Sequence, residues 1–114
     1  MIAVIFEAQA REGQQDAYLS IAAALRPGLD EIDGFISIER FQSLTTPGKL
    51  VSISFWRDEQ AILEWRGIER HRLAQMQGRA GIFADYRLRV ASVMRDYGMR
   101  DRAEAPADSR TVHG

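Results

Sequence analysis

At 114 residues the chain has room for a single domain around one core, which excludes a separate catalytic domain. Fifteen basic against sixteen acidic side chains leave a formal charge of −1, so no field gathers a phosphate backbone and nucleic acid is not an expected partner. With no cysteine and two histidines, disulfides, thiolate nucleophiles and a self-contained zinc site are set aside, and no metal is expected.

Residues 2–9 alternate Ile2, Val4, Phe6 and Ala8 against Ala3, Ile5, Glu7 and Gln9, which predicts a strand. This apolar start has no basic leader and reaches Glu7 too early for a signal peptide, and no later run is long enough to cross a membrane. A cytoplasmic location is the expectation. After a turn at Arg11-Glu12-Gly13, the apolar positions Ala17, Tyr18, Ile21, Ala24 and Leu25 recur at helical spacing. Pro27-Gly28 either ends this helix or shortens it before Leu29 and Ile32. Asp33-Gly34 signals a turn, and Phe35–Gln42 then alternates Phe35, Ser37, Glu39 and Phe41 against Ile36, Ile38 and Arg40.

A hairpin connection over 44–49 leads to a third strand over 50–56, antiparallel to the second. Asp58 is placed to cap a second helix carrying Ala61, Ile62 and Trp65. A bend is expected at Gly67, where a mid-helix glycine costs about 1 kcal/mol relative to alanine. Beyond it Ile68, Leu73 and Met76 continue the helix to a stop at Gly78. Residues 84–97 predict a last strand with Tyr86, Leu88, Val90, Ser92 and Met94 on one face and Arg87, Arg89, Ala91, Val93 and Arg95 on the other. At about 3.3 Å per residue it outruns its neighbours, so its far end is expected to pair outside the monomer. The domain is read as 1–98, and 99–114, which lacks periodicity, as a flexible tail. Fourteen of the fifteen basic residues are arginine, Lys49 being the exception, a bias that reads as a GC-rich bacterial genome rather than as function.

The order β-α-β-β-α-β gives an α+β, ferredoxin-like fold in which two helices cover one face of a four-stranded antiparallel sheet. The other face needs a cover. Its apolar area predicts a homodimer in which two sheets pack face to face.

With this order in place, certain residues carry a resemblance over about residues 1–97. They are Asp33-Gly34-Phe35 before the second strand, Phe55-Trp56 followed by Glu59 and Ala61, Trp65 with His71 six residues later, the pair Gly78-Arg79, and Tyr86. On these the chain resembles the antibiotic biosynthesis monooxygenase family of dimeric α/β-barrel proteins. The resemblance implies a pocket between helices and sheet in each subunit, where some members oxidise polyketide-type aromatic substrates with oxygen and neither metal nor flavin. Other members cleave haem with a first-strand asparagine, a second-helix tryptophan and a histidine ten residues later. Trp65 matches their tryptophan, but position 75 is Gln and the first strand reads Phe6-Glu7-Ala8. Haem is therefore disfavoured and no cofactor is expected.

A cofactor-free oxygenase must hold an electron-rich substrate, deprotonate it and exclude water. Trp65 is read both as a core residue and as a pocket wall, with Phe6, Phe41, Trp56, Met76 and Tyr86 as the ring-sized and apolar neighbours. His71 is the candidate base, since an imidazole accepts a proton near neutral pH; the competing reading is a surface histidine among Glu69, Arg70 and Arg72. Arg66 and Arg72 are candidates for an anionic substrate group, and Glu7 and Glu39 for a pocket carboxylate or an ordinary paired one. Two functions follow. One is a monooxygenase for a small aromatic or quinol-like molecule; the other is a non-catalytic small-molecule-binding or stress-related dimer, with a haem-binding variant beside it.

Overall fold

The computed structural model describes residues 1–78 and 81–113, and the side chains of 1–70 and 81–112. The elements are β1 (Ile2–Ala10), α1 (Gln15–Asp30), β2 (Phe35–Gln42), β3 (Lys49–Trp56), α2 (Glu59–Gly78), β4 (Phe83–Ser92) and α3 (Ala107–His113). All strand pairs are antiparallel, in the order β2-β3-β1-β4, so the ferredoxin-like arrangement expected from the pattern is present. No helix among the described residues is long and apolar enough to cross a membrane.

The alternation of β1 sends Val4, Phe6 and Ala8 toward the helices, and β3 sends Leu50, Ser52, Ser54 and Trp56. Two core clusters form on this side. One joins Val4, Leu29, Ile32, Trp56, Ala61, Ile62 and Trp65, and the other joins Phe6, Ala8, Tyr18, Ile21, Leu50 and Ile82.

α1 continues through Pro27 to Asp30 instead of stopping there. A helical proline costs about 3 kcal/mol, while burying an aliphatic side chain returns about 1.5–3 kcal/mol. Leu29 and Ile32 are both buried against Val4 and Trp56, which offsets the lost hydrogen bond. α2 starts as expected, with the Asp58 carboxylate accepting the Ala61 N–H at 3.0 Å. It then runs unbroken through Gly67, so the bend expected there does not interrupt it. A Cβ at Gly67 would meet open space, so the glycine costs backbone entropy on a free surface but does not disrupt packing.

Two further expectations are corrected. β2 carries an irregularity between Phe35 and Ser37, which turns Phe35 from the face of Glu39 and Phe41 onto the helix side, its ring 5.1 Å from that of Trp56. β4 ends at Ser92 and does not run to Tyr97. Ser92 pairs with Ile2, where β1 begins, so beyond one further bond from Val93 N–H to the Met1 carbonyl the monomer offers no neighbouring strand.

The segment read as a flexible tail contains α3, preceded by local contacts of its own. Asp96 N–H donates to the Glu104 carboxylate, the Arg102 guanidinium lies 5.3 Å from the centre of the Tyr97 ring, and Ala105 is buried. The chain measures 54 × 34 × 19 Å with a radius of gyration of 16.6 Å. A compact chain of this length would have a radius near 13 Å, so the molecule is drawn out along one axis.

Candidate functional site

The helix-facing side of the sheet carries two groups of rings. At one end Trp56 lies between Phe35 and Trp65, with ring centres 5.1 and 5.7 Å away. The Trp56 indole N–H donates to the Ser54 hydroxyl at 2.9 Å, which satisfies two buried polar groups at once. Trp65 is 5% exposed and belongs to the core cluster, so it is packed and also available as a wall.

At the other end Phe6, Tyr18, Phe83 and Tyr86 form a second group, with ring centres 5.5 to 5.8 Å apart in each contacting pair. α1 supplies Tyr18, β1 supplies Phe6, and β4 supplies Phe83 and Tyr86. Along the outer flank of α2, a cleft of about 170 Å³ against the edge strand β4 is lined by Glu59, Gln60, Ile62, Leu63, Arg66 and Val90.

Of the pocket residues expected from the sequence, Phe6, Trp56, Trp65 and Tyr86 lie on the helix side, divided between the two ring groups. Phe41 does not join them. It pairs with Val51, whose β3 neighbours Leu50 and Ser52 face the helices, so Phe41 points to the opposite face. There it lines a depression of about 530 Å³ with Ser37, Glu39, Ile53 and Phe55. The backbones of His71 and Met76 belong to α2, but their side chains lie outside the described residues.

Glu7 is not a helix-side carboxylate. It lies on the opposite face, 3.3 Å from Arg89 and 3.6 Å from Lys49. Hydrogen bonding from Arg89 holds its carboxyl below the usual range, with partial desolvation acting the other way and the charge of Lys49 adding to the lowering.

Three polar side chains on or beside the helix-facing surface had no functional reading in the sequence. Tyr18 is 1% exposed and its hydroxyl has no hydrogen-bond partner. The Arg40 Nε is buried without a partner, although Arg40 stands in β2 on the face that turns toward the helices. Glu69, 5% exposed, follows Trp65 by one turn of α2 and so shares its side of the helix. A signal for Arg40 was present, since it alternates with Ile36 and Ile38 as a charge on an apolar face. The helical spacing marks Tyr18 as core-facing, but not its packing against Phe83, far along the chain.

The model of the family described as Antibiotic biosynthesis monooxygenase matches residues 1–77. A protein of Pyricularia oryzae named jasmonate monooxygenase ABM is 50% identical over 93 residues, which are 82% of this chain and 43% of that protein. The chain thus spans less than half the length of that relative. The structure of Rv0793 from Mycobacterium tuberculosis superposes with a TM-score of 0.73 at 21% identity, covering 85% of this chain and 98% of the other. A structure from Deinococcus radiodurans, described as a possible antibiotic biosynthesis monooxygenase, gives 0.72 at 11% identity, covering 86% and 97%. These two likenesses are of fold. Because the family match runs from β1 into the last turn of α2, and half of the aligned residues are shared with the fungal relative, the chain belongs to the antibiotic biosynthesis monooxygenase family.

Proposed function

We propose that this chain is a monooxygenase that oxidises a small ring-bearing organic molecule between its helices and the helix-facing side of its sheet, without metal or flavin. The observation that carries this reading is the set of aromatic walls gathered there from β1, β3, β4 and both long helices. Family membership supplies the reaction type. The chemistry asks little of the protein beyond holding, deprotonating and drying the substrate. A base removes a proton from a carbon made acidic by a neighbouring carbonyl or phenol. The resulting anion combines with oxygen. Loss of water then converts CH₂ to C=O, so one oxygen atom enters the substrate and the other leaves as water.

In this reading Trp65 is the wall and His71 the base, and the buried Glu69 carboxylate, one turn from Trp65, is the second group to test for that role. Oxygen uptake with model anthrones is the experiment. Wild type consumes oxygen with an anthrone, and His71→Ala lowers kcat by about 100-fold, within the range for a general base. No oxygen uptake by wild type with any quinol, anthrone or jasmonate overturns the reading. A second reading, a non-catalytic binding dimer, is favoured by the tight packing of Trp65 on Trp56.

The functional unit we propose is a homodimer joined through the other sheet face. Ile5, Val51, Ile53, Phe55 and Phe41 lie on that side, around the depression described above. An apolar area of this kind is commonly covered in a soluble protein.

A further inference from the structure

The sheet face away from the helices carries its charges and its bulk unevenly. Strand register arranges that face in rows running from the β2 edge to the β4 edge. One row reads Phe41, Val51, Glu7, Arg87, the next Glu39, Ile53, Ile5, Arg89, and a third Ser37, Phe55, Ala3, Ala91. Across these rows β2 supplies an exposed acid and no base, whereas β4 supplies two exposed arginines and no acid. Arg89 has Glu7 beside it at 3.3 Å, but among the described residues neither Glu39 nor Arg87 makes an ion pair. Within one chain Glu39 is out of reach of both arginines, since three strand spacings, about 14 Å, separate the edges. Bulk follows the same division. Phe41 and Phe55 stand on β2 and β3, around the depression of about 530 Å³ that Glu39 also lines, while Ala3 and Ala91 stand on β1 and β4.

Two copies packed through this face are related by a two-fold axis lying between the sheets, either across the strands or along them. An axis across the strands sets β2 over β2, where Glu39 meets no base, and brings the two arginine-bearing edges together. An axis along the strands reverses the strand order and keeps each row opposite itself. Glu39 then faces the partner's Arg89, Phe41 the partner's Arg87, Ile53 the partner's Ile5, and Phe55 the partner's Ala3. Acid meets base, ring meets cation and large meets small, so this arrangement is self-complementary in charge and in shape. Stacked sheets lie about 10 Å apart, a gap that a glutamate and an arginine side chain span between them. The guanidinium has donors for Glu7 and for a second carboxylate, and its apolar stem suits a depression floored by Ile53 and Phe55.

We propose that the depression over β2 and β3 receives the β4 arginines of a second copy, with the two-fold axis along the strands and Glu39 of each copy paired with the partner's Arg89. This rests on the homodimer reading given above and adds which edges meet and which side chains fix them.

A double-mutant cycle on the dimer dissociation constant, measured by analytical ultracentrifugation of the full chain, tests the pairing. Glu39→Gln and Arg89→Gln each raise Kd at least about 10-fold, and the double variant raises it by no more than about threefold beyond the weaker single. The two positions are too far apart in one chain to couple, so such non-additivity reports contact between copies. Cross-linking tests the axis. The chain has no cysteine, so introduced thiols are the only ones present. An equimolar mixture of Ser37→Cys and Ala91→Cys proteins treated with a short bismaleimide gives a covalent dimer, and Ser37→Cys protein alone does not. Linking of Ser37→Cys protein to itself, or Kd effects that multiply in the double variant, would overturn the proposal while leaving the dimer. A wild-type chain that stays monomeric at every concentration would remove the dimer reading and the proposal with it.

Discussion

Trp56 and Trp65 touch, yet substitution should separate them. Trp56 is fully buried between Phe35 and Trp65 with its N–H bonded to Ser54, so Trp56→Ala is expected to cost about 3–5 kcal/mol in urea denaturation. Trp65→Phe keeps an aromatic ring in the same cluster. It should cost no more than about 1.5 kcal/mol while kcat/KM falls at least 10-fold, if the indole is a substrate wall. Equal small losses in both quantities would mean that Trp65 only packs. Glu7 sets a pH dependence. Its carboxyl is lowered from 4.5 by Arg89 and Lys49, so its pairing stabilises the fold above the unfolded value and is lost as pH falls through the lower folded one. Glu7→Gln should therefore be the less stable protein at pH 7, with the gap closing on acidification below about 4.5. Urea midpoints at pH 7 and pH 3 that differ from wild type by the same amount would refute this. A candidate base among the strand carboxylates was a legible idea, but which face Glu7 takes, and what it meets there, is set by Lys49 and Arg89 from two other strands.

At the scale of elements, local patterns read best where one residue type has one physical job. Asp58 is such a case, its side chain capping α2 as its position suggested. Gly67 is a weaker signal, because a glycine's backbone cost does not by itself end a helix that packing holds in place. Gly67→Ala should stabilise the protein by about 0.5–1 kcal/mol, since the new methyl meets open space. Gly34 behaves in the opposite way. Its φ is +92°, and a Cβ there would stand 2.7 Å from that of Ala61. Gly34→Ala is expected to destabilise by about 1–3 kcal/mol, with thermal unfolding as the check. The irregularity beside it in β2 carries no mark in the sequence, since period-two alternation assumes an unbroken pleat.

At the scale of the molecule, the sheet face away from the helices decides assembly. Phe55→Asp, on that face beside Ile53 and Phe41, should shift the proposed dimer to monomer by light scattering while leaving the circular dichroism spectrum unchanged. An unchanged mass would remove this face as the interface. Residues 93–113 lie beyond the last strand, and the 54 Å long axis shows how far the chain departs from a compact form. The alternation over 84–97 suggests a strand that outruns its neighbours, whereas β4 ends at Ser92, where β1 begins and pairing stops.

By itself the sequence determined the order of elements, the apolar and polar alternation of the strands and the turns at Asp33-Gly34 and Asp58, because each depends on residues a few positions apart. It also carried the family, through a set of spacings. Only the tertiary structure decided which groups share the helix-side surface. Phe35 joins Trp56 there through a break in the pleat, Phe41 leaves it by strand parity, and Tyr18 is buried there with its ring against Phe83 of β4. Burial of a hydroxyl or a guanidinium is a property of everything packed around it, and those neighbours come from segments that the chain order keeps far apart.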